Sequence, residues 1–356
     1  MRGGEKCLEV FCELYPDSPI YTLFCERGKV SKTITSHPIR MSGLQHFPKV
    51  FSLYRYYLPF YPKAIESFRL DEDRDLLIST NHCVAKGLRK KKSTRHICYC
   101  FTPMRYAWGF FDEYFGNKNP ISKWVIRQTM NRMKAWDLQT NDGVDHFIAI
   151  SEHIRKRIRQ CYDRESEVIY PPVDTDFYTP DPSVRPEDFY LIVSALVPYK
   201  KLDLAVRVFN RIGRRLVIIG DGPERRSLEK MAKNNIQFLG WQSNEVLRNY
   251  YRRTKALVFP GEEDFGIVPV EAQACGRFVI AHAGGGALET VLDRRTGVFF
   301  NSFNEKDLQE AILDYEKERF LPQHARENAL KFSRERFRSQ IQDAIGRFLF
   351  SKGSLR

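Results

Sequence analysis

Reactive side chains crowd into one stretch, GEEDFGIVPVEAQACG at 261–276, where Glu262, Glu263, Asp264 and Glu271 surround an apolar turn. The chain as a whole is basic, with 57 Lys and Arg against 44 Asp and Glu and a formal net charge of +13. Local acidity there is a departure from the average. An ionised carboxylate pair such as Glu263 and Glu271 suits hydrogen bonding to ligand hydroxyls and stabilisation of a cationic centre, and suits general-acid work poorly. KALVFP, 255–260, reads as a buried strand feeding the acidic turn. Pro269 fits the first helical position, which puts Glu271 in the first turn. The free N–H groups of that helix start are open to a phosphate or a hydroxylated ligand.

Three further strand-to-helix junctions carry the same potential. VSALVPYKKLD, 193–203, sets Lys200 and Lys201 beside a helix start, a disfavoured place for a cation unless a diphosphate straddles the junction. IIGDGPERRSLEK, 218–230, offers Gly220 and Gly222, which either admit a close ligand or simply make a tight turn. HAGGGALET, 282–290, is a glycine run able to cradle an anion or sugar, and neither turn matches a P-loop. In the first half, STNHCVAKG sets His82 just past a strand end. YCFTPMRYAWGFFDEY places Arg105, Tyr106 and Trp108 in a loop suited to sugar stacking, lipid contact or ordinary packing.

The elements that must hold these residues alternate between apolar runs and amphipathic helices, the pattern of parallel α/β units. DLLIST, HICYCF and DHFIAIS (75–80, 96–101, 145–151) are strands of a first set, and Ser151 caps the helix EHIRKRIRQCY. The proline-rich YPPVDTDFYTPDPSVRPED, 170–188, is expected as a linker or hinge. FYLIVSAL, RLVIIGDG, IQFLGW, KALVFP and RFVIAHAGG are strands of a second set, with a helix after Ser243. The helical tail is expected to cross back, giving domains at 1–172 with 337–356, and at 173–336. Doubly wound halves bind ligands at the carboxyl ends of their strands.

Composition narrows the field. At 356 residues two full cores are possible, and no run of about 18 apolar residues marks a membrane span. MRGGEKCLEV has no apolar signal core, so a cytoplasmic location is expected. Eight cysteines without a CxxC pair read as reduced thiols rather than a zinc site. The basic balance implies an anionic partner. The densest run, KGLRKKKSTRH at 86–96, is either a solvated loop or a contact with an anionic membrane surface. Nucleic acid is disfavoured, for want of a recognition motif.

Together these motifs resemble the retaining GT-B glycosyltransferases of family 4, in the O-antigen mannosyltransferase-like branch. EDFGIVPVEAQACG is similar to the family's E-x7-E element, with Glu263 and Glu271, and SALVPYKK to its phosphate segment, with Lys200. FIAIS…YPPVDTDFY, GDGP and FLGW recur at the expected intervals. The resemblance implies an α/β GT-B fold, two Rossmann-like doubly wound domains facing a central cleft, with hinge closure between an acceptor-binding first half and a donor-binding second half. It implies metal-independent transfer of a hexose, mannose favoured and GDP-mannose the favoured donor, to a glycan or lipid-linked acceptor in surface polysaccharide biosynthesis. Glu263, Lys200 and His82 would be catalytic. The donor would lie against Glu271, Phe265, Gly266, Ile267, Gly3, Gly4, Gly220, Gly222 and Gly240, and the acceptor against Arg105, Tyr106 and Trp108. Peripheral contact with the inner face of the plasma membrane is expected. Three departures stand out: Ala195 replaces a phosphate-site arginine, Phe101 replaces a histidine, and MRGGEK is expected to start within the first Gly-rich loop, with the family's first strand either upstream of it or missing. A nucleotide-sugar-binding pseudoenzyme, or an inactive fragment, is the alternative those departures favour.

Overall fold

The computed structural model describes residues 3–70, 74–109, 111 and 119–350. The chain divides into two compact units, Met1–Tyr170 with Phe337–Arg356, and Pro171–Arg336. These joints fall at 170/171 and 336/337, close to the 172/173 and 336/337 boundaries expected from sequence.

In the first unit, β1 (Ile20–Thr22) and β2 (Ile39–Met41) form a small parallel pair. The main sheet is β3 (Leu76–Asn81), β4 (Arg95–Cys100), β5 (His146–Ala149) and β6 (Glu167–Val168), parallel and in sequence order. Register runs from Leu76 opposite Arg95 to Asn81 opposite Cys100. Ser151 caps the helix Glu152–Tyr162 as expected, its Oγ accepting from Ile154 N–H at 3.1 Å, and Ile154 and Ile158 are buried beneath it. The first described element is a helix, Gly3–Leu14, that buries Cys7, Val10 and Phe11. That i, i+3, i+4 spacing makes an apolar stripe, and Gly3 and Gly4, expected in a loop, form the first turn of this helix. The closing helix, Arg334–Phe350, sets Phe337 edge-on against Phe11 and Tyr99.

The second unit is built on six parallel strands: β7 (Tyr190–Val193), β8 (Leu216–Ile219), β9 (Ile236–Gly240), β10 (Ala256–Phe259), β11 (Phe278–His282) and β12 (Gly297–Phe300). Their order is β12-β11-β10-β7-β8-β9. Strands covered on both faces need apolar residues on both, and LVII at β8 and ALVF at β10 are buried throughout. The helix Leu202–Ile212 supplies Leu202, Ala205, Val206 and Phe209 to the core and ends at Gly213, whose φ of 71° suits glycine.

Of the segment expected as a linker or hinge, the first bond, 170/171, is the joint between the two units. From Pro171 onward the segment belongs to the second unit. Tyr178 is buried and edge-on to Tyr251 at 5.7 Å. Arg326 donates to the carbonyls of Thr175 and Tyr178 at 2.8 Å, and Arg252 to that of Thr179 at 2.7 Å. Proline removes donors from a segment but leaves its carbonyls, which these guanidinium groups collect.

Candidate functional site

Strand order in the second unit reverses between β7 and β10, the switch point beside which open α/β sheets bind ligands. Lys200 ends a short turn, Pro198–Lys200, after β7, and Glu263 lies in the loop after β10. Their side chains form an ion pair, Nζ to Oε1, only 12 % and 26 % exposed. The two loops touch through their backbones as well, since a Cβ on Gly261 would lie 2.8 Å from Lys200 Cα.

The helix after the acidic turn runs Ile267–Ala274, with Gly266 as its N-cap at φ 90°. Pro269 is thus its third residue, not its first, and Glu271 lies beyond the first turn. The third N–H of a helix has no internal partner either, so proline costs nothing there. Glu271 is buried and accepts from Tyr251 Oη at 3.0 Å. Burial raises the Tyr251 phenol well above its ordinary range, and the Glu271 carboxylate adds to that. Tyr251 carries no sequence signal, because its partner is fixed only when the helix Asn244–Arg253 packs beside this one. Phe265 turns its ring inward, edge-on to Phe332, so only its backbone faces the turn; Ile267 is half-buried.

The glycine turns pack on neighbouring loops. A Cβ on Gly220, whose φ is 131°, would lie 1.9 Å from Ser194 O, and one on Gly222 would lie 2.4 Å from Leu196 O. One on Gly286 would lie 2.2 Å from Phe265 Cα, and Gly286 N–H donates to Glu263 O at 2.8 Å. The run at 284–286 therefore buttresses the Glu263 loop. Gly240, at the end of β9 with φ 68°, accepts from Gly220 N–H at 2.8 Å. His282 ends β11 and stacks on Phe303 at 3.8 Å. Burial pushes its imidazole below the ordinary value, with Glu262 opposing. A histidine on the last residue of a strand, before a glycine run, was the available signal.

The remaining expected residues lie in the first unit. His82 follows β3 and is exposed. Gly4 sits beside Phe101, where a Cβ would be 3.4 Å from Cε2. Arg105 and Tyr106 are half-buried in the turn after β4, and Tyr106 packs on the core around Leu58 and Met104. Trp108 is committed to the interior: its Nε1 donates to Asp137 Oδ2 at 2.8 Å and its ring meets Tyr162 edge-on. The basic run 86–96 is half internal, contrary to its reading as a surface cluster. Lys86 is buried in an ion pair with Asp137 at 3.0 Å, and His96 is buried against Ser79 at 2.8 Å. Arg89 pairs with Glu66 and Lys90 with Asp145. All eight cysteines are free thiols, and among the described residues no helix is long and apolar enough to cross a membrane.

Residues 180–332 match the family described as glycosyl transferases group 1. An uncharacterised glycosyltransferase of Methanocaldococcus jannaschii is 31 % identical over 196 residues, 54 % of this chain and 55 % of that protein. A GDP-mannose-dependent alpha-(1-6)-phosphatidylinositol monomannoside mannosyltransferase of Mycobacterium tuberculosis is 30 % identical over 225 residues, 55 % of this chain and 56 % of that one. The chain spans about half the length of the curated relatives it matches. Among solved structures, Anabaena HepE in complex with UDP aligns with a TM-score of 0.68 at 16 % identity, over 97 % of this chain and 96 % of that one. Sucrose-phosphate synthase from Thermosynechococcus elongatus aligns with a TM-score of 0.72 at 18 % identity, over 97 % and 92 %. The fold is therefore that of the GT-B glycosyltransferases, and residues 180–332 carry the match to glycosyl transferases group 1.

Proposed function

We propose that the chain transfers a hexose from a nucleotide-diphosphate sugar to a glycan or lipid-linked acceptor, with retention at the anomeric carbon and without a metal ion. The observation that carries this reading is the Lys200–Glu263 pair at the switch point, with Glu271 buried in the helix behind it. Each member of the pair matches one part of a sugar nucleotide. The diphosphate takes Lys200, and the sugar hydroxyls take Glu263. As the anomeric bond breaks, the nucleoside diphosphate leaves with the bonding electrons and its new charge falls on Lys200, a preorganised electrostatic role. Glu271 holds the ribose. Arg105 and Tyr106 are assigned to the acceptor, and His82 to the transferred sugar. Mannose is favoured because a mycobacterial relative is named as GDP-mannose-dependent. HepE was solved with UDP, so the base is the first thing to measure.

Calorimetric titration with GDP, UDP and ADP tests the donor. One of them should saturate, and Glu271→Ala should weaken it. Failure of all three defeats the reading. A transfer assay with the matching sugars follows, in which Glu263→Gln should abolish turnover and chelation should leave it unchanged.

A second reading, a nucleotide-sugar-binding pseudoenzyme, is favoured by Ala195, exposed beside the β7 turn with only a methyl to offer a phosphate, and by Phe101, packed edge-on to Tyr99 at 5.5 Å. Tight donor binding with no transfer to any acceptor would select it.

A further inference from the structure

In the second unit the loop after β12, residues 301–304, reads NSFN, and all four residues are exposed. Each is nonetheless fixed. The Asn301 carbonyl takes a hydrogen bond from the His282 imidazole. Ser302 N–H donates to Asp307 Oδ2 at 3.1 Å, and Asn304 N–H donates to the Ser302 carbonyl at 2.7 Å. Asn304 Oδ1 accepts from Asp307 N–H at 2.8 Å, capping the helix Glu305–Lys317. Phe303 lies flat on His282, its plane 15° from parallel, with 44 % of its surface still open. His282 is buried, and its Nδ1 has no hydrogen-bond partner. A buried nitrogen left unpaired is costly, and here it underlies a ring that is held outward. The Asn301 side-chain amide makes no hydrogen bond among the described residues, and Lys201 Nζ lies 5.5 Å from the Phe303 ring centre. Glu262 reaches the same place: a Cβ on Gly284 would lie 2.8 Å from His282 Nδ1 and 3.2 Å from Glu262 Oε2. Lys201 follows Lys200 and Glu262 precedes Glu263, so this ring borders the Lys200–Glu263 pair.

We propose that Phe303 is the floor of a saccharide subsite that holds a neutral pyranose of the acceptor glycan. A pyranose has an apolar face of C–H groups and a rim of hydroxyls. The first suits the open face of an aromatic ring. The second suits the Asn301 amide, the Lys201 ammonium and the Glu262 carboxylate, which between them donate and accept. The loop is fixed before a ligand arrives, so little ordering opposes binding. A protein partner is a poorer occupant, because a stable interface needs about 800 Å² a side and the exposed neighbours of this ring, Asn301, Ser302 and Asn304, are polar. The inference rests on the transfer reading for the role of the bound sugar as acceptor, and not for its binding.

Saturation-transfer NMR on the full chain without nucleotide tests it, with mannobiose, maltose and lactose as probes. Saturation should reach the ring C–H protons of at least one of them. Phe303→Ser should abolish that signal and Phe303→Tyr should keep it. Asn301→Ala should weaken binding about fivefold, the loss of one hydrogen bond. In transfer assays Phe303→Ser should raise the acceptor KM about tenfold and leave the donor KM alone. Nucleotide titration should match the parent in each variant, which separates a lost subsite from a lost fold. Saccharide binding without nucleotide binding would defeat the transfer reading and still support the subsite. No saturation of any of the three sugars overturns the proposal, as does a Phe303→Ser chain that binds them like the parent. So does a raised donor KM, which would set the transferred hexose on the ring. Joint loss of sugar and nucleotide binding would make the ring part of the fold, and overturns it too.

Discussion

Each unit contains a lysine–carboxylate pair, and the two differ in what surrounds them. In the first unit, Lys86 and Asp137 are wholly buried. Asp137 Oδ2 accepts from Trp108 Nε1 and Tyr162 Oη, both at 2.8 Å, while Lys86 donates to Thr140 Oγ1 at 2.6 Å. Asp137 Oδ1 faces Lys86 Nζ as an ion-pair contact rather than an aligned hydrogen bond. In the second unit, Lys200 and Glu263 are partly open to solvent. A buried, partnered pair cannot exchange its members for a ligand, because separating them leaves a bare charge in a medium of low polarity. A partly open pair can, because incoming phosphate and hydroxyl groups replace what each charge loses. A lysine–carboxylate pair therefore makes a structural joint in one unit and a candidate binding site in the other.

The comparison breaks most readily at Lys86. Lys86→Ala strands the Asp137 charge and should cost about 3–5 kcal/mol in denaturant melts. Lys200→Ala should leave the same melts nearly unchanged, and equal losses would erase the distinction. In transfer assays the order reverses. Lys200→Ala should lower turnover by about 10²–10³-fold, the scale for removing one preorganised electrostatic contact.

Acid sharpens the contrast from the side of the buried network. His96, near Lys86, Lys90 and Asp145, is lowered from 6.5 to about 4, chiefly by burial. The folded state thus requires the neutral ring, while the unfolded chain takes up a proton first. The stability is in place above pH 6.5 and is lost as pH falls toward 4, by roughly 3 kcal/mol in all. His96→Gln should flatten that limb of a stability–pH profile, and an unchanged slope would assign it to other groups. The smallest effect belongs to Ser151→Ala. Loss of one cap should cost about 1 kcal/mol in a melt without touching nucleotide binding.

Legibility followed the range of the interaction. Strands β3, β4, β5 and β7–β11 were readable because a buried parallel strand shows as an apolar run. The Ser151 cap was readable because it acts over three residues, and the next such cap was narrowed to Ser243 or Asn244, of which the structure uses Ser243. β12, GVFF at 297–300, went unread. The helix at Gly3–Leu14 was missed because its two glycines suggest a loop, while its apolar stripe prevails.

By itself the sequence determined the alternation of strand and helix, and which junctions carry Lys200, Glu263 and Glu271. It did so because backbone periodicity and capping are settled among near neighbours. Only the tertiary structure decided that Lys200 meets Glu263, that Tyr251 holds Glu271, that Lys86 is internal, and that Phe51, Tyr56 and Phe60 face outward. Those outcomes depend on strand order and on which helix covers which face, and residues 63 apart in sequence become partners only when β7 and β10 lie side by side.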